Sequence, residues 1–262
     1  MKDILNKMTL REKIGQTCMP SPPAVRNGVI EEGGYVNYFK KYPYVGFYMT
    51  GGDGVIKDDG STVVSKPADL AEITRNIAQN VDIPIFVACD AEFGADSIFE
   101  EMTKLPTNMA VGAANSPELA YKRCFYWAKE LRSSGINWAF GPVCDILAHF
   151  LDCMGTRCIS DDTEHIVNLI PHFIKGIQDA GVLACAKHFP GRWGDYRDSH
   201  LSMTKDRLTR EEWFEMLFPI WKAAADCSVD WRCSRRHGRR CSGRPDTASP
   251  QPAGSRWRPS RR

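Results

Sequence analysis

The feature that most constrains the fold of this chain is the alternation of short apolar runs with amphipathic segments. Five candidate strands are apolar on both parities, as strands covered on both faces are; they occupy residues 14–19, 44–49, 83–90, 136–146 and 182–189. Strands that alternate with helices predict a parallel sheet with right-handed crossovers. This pattern fits either a doubly wound sheet or a (β/α) barrel.

Helix start and stop signals mark the segments between these runs. Ser116 and Pro117 precede an apolar periodicity that stops at Gly135, and a second periodic segment stops at Gly181. Two pairs with capping-box spacing predict further helix starts: Thr9 with Glu12 and Thr209 with Glu212.

Polar residues at the ends of the candidate strands favour the barrel. Asp90 and Glu92 follow the third candidate strand, Asp145 ends the fourth, and Lys187 and His188 end the fifth. Barrel sites are built from the carboxyl ends of several strands. In addition, no glycine-rich nucleotide loop follows the first candidate strand. We therefore predict an α/β fold of the (β/α)8 TIM-barrel type, incomplete in this chain, with about five to six strand-helix units.

The charge distribution changes near residue 230. Residues 231–262 carry ten arginines, no lysine and one aspartate, a local charge of +9, whereas the whole chain carries only +2. We interpret this segment as a disordered tail that results from a frameshifted reading, and residues 1–230 as a partial barrel domain. The alternative is a genuine basic arm, which would favour nucleic acid.

Ten cysteines do not form a disulfide or zinc pattern here. Several lie within apolar runs and are predicted to be reduced and mostly buried: Cys18, Cys89, Cys144 and Cys185. The spacing of Cys144, Cys153 and Cys158 matches no zinc site, so no metal and no cofactor are expected. The N-terminus lacks a signal-peptide pattern and no apolar run is long enough to span a bilayer, which predicts a cytoplasmic protein without a membrane partner.

Titratable residues are concentrated in the stretch KHFPGRWGDYRDSH, residues 187–200. Asp198 lies two positions before His200 and can orient its imidazole. Histidine as a residue type has an unperturbed pKa of about 6.5, which suits acid/base work near neutral pH. An Asx turn beside an exposed histidine is the alternative. Lys187 and His188 suit a polyol ligand, or the lysine pairs with a carboxylate on a neighbouring strand. Trp193 lies in the same loop and could stack on a sugar ring.

Several motifs together resemble one family. The order MTLREKIGQ, FVACDAEFGA, GPVCDI, GTRCISDD, GIQDAGVLACA and KHFPG followed by DSH resembles the N-terminal barrel domain of glycoside hydrolase family 3, in its bacterial β-N-acetylhexosaminidase branch. The resemblance extends from about Met8 to Asp230. It implies hydrolysis of glycosidic bonds by a retaining mechanism, with a small glycoside or oligosaccharide as substrate.

The resemblance also implies residue roles. Asp198 and His200 would be the catalytic acid/base dyad. Four residues would bind the sugar: Asp90, Arg157, Lys187 and His188. Two positions depart from the family pattern, since GADSIF lacks the usual second glycine and arginine, and Arg192 and Trp193 replace a His-Gly pair. The family nucleophile, an aspartate after a later strand, matches no residue of this chain.

Three functions therefore stay open from the sequence. The first is removal of terminal β-N-acetylhexosamine or β-glucose by a retaining glycosidase. The second is a metal-dependent hydrolase on a barrel, with His188, Asp198 and His200 as ligands. The third is a catalytically incomplete fragment that lacks the nucleophile.

Overall fold

The protein is a parallel α/β structure, shown by a computed structural model that describes residues 2–20, 22–50, 66–149, 151–198, 200–205 and 208–227. The predicted tail at residues 231–262 lies outside the described residues. The strands are β1 (Gly46–Met49), β2 (Phe86–Cys89), β3 (Trp138–Ala139) and β4 (Leu183–Ala184). The α-helices are α1 (Lys2–Lys7), α2 (Leu10–Gly15), α3 (Pro22–Glu32), α4 (Tyr35–Lys41), α5 (Pro67–Asn80), α6 (Asn108–Ala114), α7 (Pro117–Ser133), α8 (Thr163–Asp179), α9 (Arg210–Met216) and α10 (Phe218–Cys227).

The four strands form one sheet in the order β1-β2-β3-β4, and every pair is parallel. Its register pairs Phe47 with Val87, Cys89 with Ala139, and Ala139 with Ala184. Strand order follows chain order with a helix in each connection, as in one arc of a barrel. Four of the five candidate strands are thus confirmed, and the predicted α/β class with them.

The first candidate strand is wrong. Residues 10–15 form helix α2, because Thr9 caps it: the Thr9 hydroxyl accepts from the Glu12 amide and the Glu12 carboxylate accepts from the Thr9 amide. This reciprocal cap fixes helical geometry at the start of the apolar run and overrides its strand-like composition. Cys18, just beyond the helix, is exposed rather than buried and Cys185 is half-buried, whereas Cys89 and Cys144 are buried as predicted. Burial raises the pKa of the Cys89 thiol to about 12.

Helices α7 and α8 cover the sheet and supply much of the core. Ser116 caps α7, and the second predicted capping box, Thr209 with Glu212, opens α9. The stripe of α8 is buried along its whole length: Ile166, Leu169, Ile170, Phe173, Ile174 and Ile177. Each such side chain contributes roughly 1.5–3 kcal/mol through removal of its apolar surface from water. This packing holds β3 and β4 side by side, so their carboxyl ends meet at one edge.

In the part of the chain that the structure describes, no helix is both long enough and apolar enough to cross a bilayer.

Candidate active site

Glu92 is the centre of a charged cluster at the carboxyl ends of β2 and β4. Its Oε1 lies 2.6 Å from Lys187 Nζ, and its Oε2 pairs with Arg157 Nη1. Lys187 Nζ also pairs with the Asp90 carboxylate. The Glu92 side chain is only 7% exposed. We call Asp90, Glu92, Arg157 and Lys187 the charged cluster. It contains two carboxylates and two cationic side chains.

The cluster keeps Glu92 ionised. Burial alone would raise the pKa of Glu92, but hydrogen bonds from Lys187 and Arg157 outweigh it and hold that pKa below the usual value. Arg157 is fixed from two further sides, since its Nη2 donates to the Cys153 carbonyl at 2.5 Å and its own carbonyl accepts from Asn108 Nδ2 at 2.7 Å. The guanidinium is therefore positioned before any ligand arrives.

His188 is oriented by a buried acid. Its Nδ1 lies 2.6 Å from Asp145 Oδ2, and its backbone amide donates to the same oxygen at 3.3 Å. The Asp145 side chain is 0% exposed. A carboxylate only accepts, so Nδ1 carries the proton and Nε2 is left on the other side of the ring, 3.9 Å from Glu92 Oε1. Asp145 thus fixes both the tautomer and the ring plane of His188.

Asp198 and His200 form a pair on the loop after β4. His200 Nδ1 lies 2.7 Å from Asp198 Oδ1, and the His200 amide donates to the same oxygen at 2.9 Å. The His200 backbone amide and then its ring hold the pKa of Asp198 below its ordinary value. The His200 side chain is 90% exposed. Its second nitrogen therefore faces solvent, where a substrate can reach it.

The structure contains the contacts expected from both structural alternatives, the Asx turn at Asp198 and the ion pair of Lys187. The amide contact to Asp198 is the Asx turn, and the pairing of Lys187 with Asp90 and Glu92 is the neighbouring-strand ion pair. The geometry therefore does not choose between a structural and a sugar-binding role for Lys187. The sugar-binding and dyad roles stay predictions.

The structure groups the predicted residues into two sets. Asp90, Arg157 and Lys187 meet in the charged cluster, with His188 beside it, while Asp198 and His200 pair only with each other in the described contacts. Across the residues that the structure describes, no group of three or more His, Cys, Asp or Glu side chains could hold a metal ion. The set His188, Asp198 and His200, proposed as metal ligands, is therefore not assembled.

Sequence reasoning missed two residues of the site. Glu92 and Asp145 were identified as acids at strand ends, but neither was assigned to the site; Asp145 was expected to support or cap rather than to bind a ligand, which agrees with its contact to His188. The signal that points to Glu92 is its position two residues after Asp90, which places a second acid at the end of β2. Trp193, considered as a sugar platform, is half-buried and packs against the main core, and its stacking on a sugar stays a prediction.

A parallel sheet in chain order, with charged side chains gathered at the carboxyl ends of its strands, is the arrangement found in one arc of a (β/α) barrel. Residues 9–247 match the model of one family, described as the glycosyl hydrolase family 3 N terminal domain. The chain belongs to this family, whose N-terminal domain is of the TIM-barrel type. The match extends past residue 230, and the boundary predicted there stays a prediction.

Relatives of established name match part of the chain. A β-N-acetylglucosaminidase/β-glucosidase of Cellulomonas fimi is 31% identical over 163 residues, which are 62% of this chain and 29% of the relative. A β-hexosaminidase of Photobacterium profundum is 37% identical over 143 residues, 53% of this chain and 42% of the relative. The chain thus matches less than half the length of these relatives.

Solved structures share the fold. A β-N-acetylglucosaminidase of family 3 from Paenibacillus sp. superposes with a TM-score of 0.69 at 26% identity, over 83% of this chain and 40% of that one. The β-glucoside phosphorylase BglX superposes with a TM-score of 0.72 at 23% identity, over 86% of this chain and 38% of that one. The second likeness shows the fold alone.

Proposed function

We propose that these residues provide the sugar site and the acid/base dyad of a retaining glycosidase that removes terminal β-N-acetylhexosamine or β-glucose residues. The observation that carries the proposal is the Asp198–His200 pair. His200 Nδ1 is hydrogen-bonded to the Asp198 carboxylate, and the second ring nitrogen is open to solvent. Membership of family 3 and the names of its relatives support the same chemistry.

In this proposal His200 protonates the leaving oxygen. Cleavage of a glycosidic bond requires an acid at the departing oxygen and a carboxylate that meets the positive charge developing on the sugar. Asp198 keeps Nδ1 protonated and stabilises the imidazolium, so Nε2 carries the transferable proton. After cleavage the sugar is bonded to the nucleophile. The neutral imidazole then accepts a proton from the incoming water as the water oxygen attacks the anomeric carbon and the bond to the nucleophile breaks, and the ring returns to its protonated state.

The charged cluster would bind the sugar hydroxyls. Lys187 and Arg157 offer N–H donors, Asp90 offers an acceptor, and His188 Nε2 accepts at the same edge. Because Glu92 and Asp145 hold three of these groups in place, little side-chain freedom remains to be lost on binding. A hydroxyl-rich ring matches this mixture of donors and acceptors better than an apolar ligand does.

We propose further that no residue of this chain is the nucleophile, as the family resemblance implies. At the strand ends, Asp90 and Glu92 are paired with the two bases and Asp145 is buried against His188. A polypeptide of residues 1–262 is then expected to show no hydrolysis of an aryl β-N-acetylglucosaminide above background. Extension beyond residue 230 in the frame of residues 1–230 should restore turnover. Steady hydrolysis by the 262-residue chain would show that a nucleophile lies within it.

The pH profile tests the dyad. In an active, extended polypeptide, Asp198→Asn keeps the size of the side chain but removes the charge that stabilises the imidazolium. The imidazolium that acts as the acid then lacks its charged partner, so the alkaline limb of the rate profile should move toward acid. Turnover of aryl β-N-acetylglucosaminide and aryl β-glucoside is measured across the pH range. Failure of the unsubstituted polypeptide on both substrates would contradict the function, and an unmoved alkaline limb would limit Asp198 to a turn.

A further inference from the structure

Arg192 connects two loops that are 39 residues apart in the chain. One is the dyad loop, which we define as residues 191–198 and 200–205. The other follows β3 and contains Cys153. Arg192 Nη1 donates to Cys153 Sγ at 3.3 Å, while Nη2 donates to the carbonyl of Arg197 at 2.9 Å and to that of Asp195 at 3.4 Å.

The guanidinium is held in a restricted place. The Arg192 side chain is only 18% exposed, and the buried Asp152 carboxylate lies 4.0 Å from Nη2. Burial lowers the pKa of Arg192, but the bond to Cys153 and the nearby acids outweigh it and leave that pKa raised. A charged group at such a position is retained when its contacts compensate for lost hydration.

Cys153 is shared between the dyad loop and the charged cluster. Its thiol accepts from Arg192, and its carbonyl accepts from Arg157, which pairs with Glu92. One residue therefore joins the loop that carries His200 to the group that would hold the sugar. A shift of either loop changes the position of the other.

The dyad loop is also closed on itself. Asp195 Oδ1 accepts from the amide of Arg197 at 3.1 Å, and Asp195 Oδ2 accepts from the amide of Lys205 at 2.8 Å. Asp198 and His200 lie between these two contacts. A loop tied across its base moves as one unit. Trp193, packed against the core, and the Tyr196 ring, 5.9 Å from that of His149, also contact the rest of the protein, but Arg192 supplies the hydrogen bonds between the dyad loop and the loop after β3.

We propose that Arg192 is a positioning residue that anchors the dyad loop, and with it His200, to the loop after β3. The anchor needs a planar fork, because one nitrogen contacts the thiol while the other contacts the two carbonyls. A lysine ammonium is a single point charge on a flexible stem and does not bridge both sides. The consequence for catalysis rests on the proposed function, whereas the anchoring does not.

Hydrogen exchange of backbone amides, followed by mass spectrometry on the 262-residue chain, tests the anchor without any turnover. In Arg192→Ala and in Arg192→Lys, peptides from residues 193–205 should exchange on the order of tenfold faster, as when a charge-assisted hydrogen bond that limits local opening is lost. Peptides from α8 should exchange as in the unsubstituted chain. Cys153→Ala removes the thiol from the other side and should accelerate the same loop to a smaller extent.

Arg75→Ala is the matched control, since Arg75 is an exposed arginine in α5 and takes part in none of these contacts. It should leave the dyad loop unchanged. Unchanged loop exchange in Arg192→Ala would overturn the proposal, as would full rescue by lysine or an equal acceleration in α8. If Arg192→Ala does not fold, Cys153→Ala decides, and normal loop exchange there overturns the anchor. The glycosidase proposal can fail on its own pH profile whichever result is obtained.

Discussion

Replacement of His200 by alanine is expected to lower turnover of alkyl β-N-acetylglucosaminides by about 10²- to 10⁴-fold, the usual contribution of a positioned general acid. The measurement is made on an active, extended polypeptide that contains these residues. The loss is expected because His200 would be the general acid. Its Nδ1 is hydrogen-bonded to Asp198, and its Nε2 faces solvent, where it can protonate the leaving oxygen. A substrate whose leaving group needs no protonation, such as a dinitrophenyl glycoside, should lose far less.

The control for this experiment is His172→Ala. His172 lies in α8 and takes part in neither the dyad nor the charged cluster. Its substitution should leave the ratio of alkyl to dinitrophenyl turnover unchanged. An equal loss on both substrates in His200→Ala would remove the acid role and leave His200 as a structural or binding residue.

Replacement of Glu92 by glutamine is expected to destabilise the protein by about 3 kcal/mol at neutral pH, as when one partner of a buried ion pair is removed. Glutamine keeps the shape of the side chain but leaves Lys187 and Arg157 with only the Asp90 charge between them. The free energy of unfolding of the 262-residue chain is measured by urea denaturation. Affinity for N-acetylglucosamine should fall with it, because both donors lose their orientation.

The effect of Glu92 should depend on pH. Hydrogen bonds from Lys187 and Arg157 hold the pKa of Glu92 in the folded protein below its ordinary value. Its charge therefore contributes stability above the pKa of the unfolded chain, and that contribution is lost as pH falls through the lower folded pKa. The two proteins should thus converge in stability in acid.

Glu118→Gln is the matched control for this second experiment. Glu118 pairs with Lys122 on the exposed surface of α7, where ion pairs contribute little. The Glu118→Gln substitution should leave the free energy of unfolding nearly unchanged across the pH range. A loss in Glu92→Gln that persisted unchanged in acid would show that packing, rather than charge, accounts for the effect.

Local sequence signals predicted the elements of this fold well. The caps at Ser116 and at the Thr209–Glu212 pair are confirmed, as are four strands and the buried stripe of α8. These features depend on contacts within a few residues, which a sequence displays directly. The strand predicted at residues 14–19 was wrong because a local signal was given too little weight. The capping box of Thr9 and Glu12 starts a helix that extends into this apolar run.

The family was also determined by the sequence, because motifs such as KHFPG and DSH keep their order over most of the chain. The sequence also indicated the contact between Asp198 and His200, because residues two positions apart are close in space whatever the rest of the fold. The tertiary structure alone decided that Glu92 joins Lys187 to Arg157, that Asp145 holds His188, and that Cys153 is shared by two arginines. These contacts join residues that are 4 to 95 positions apart, and most of them require parallel strands to bring their ends together. A local sequence pattern does not specify which residues that are distant in the chain come into contact.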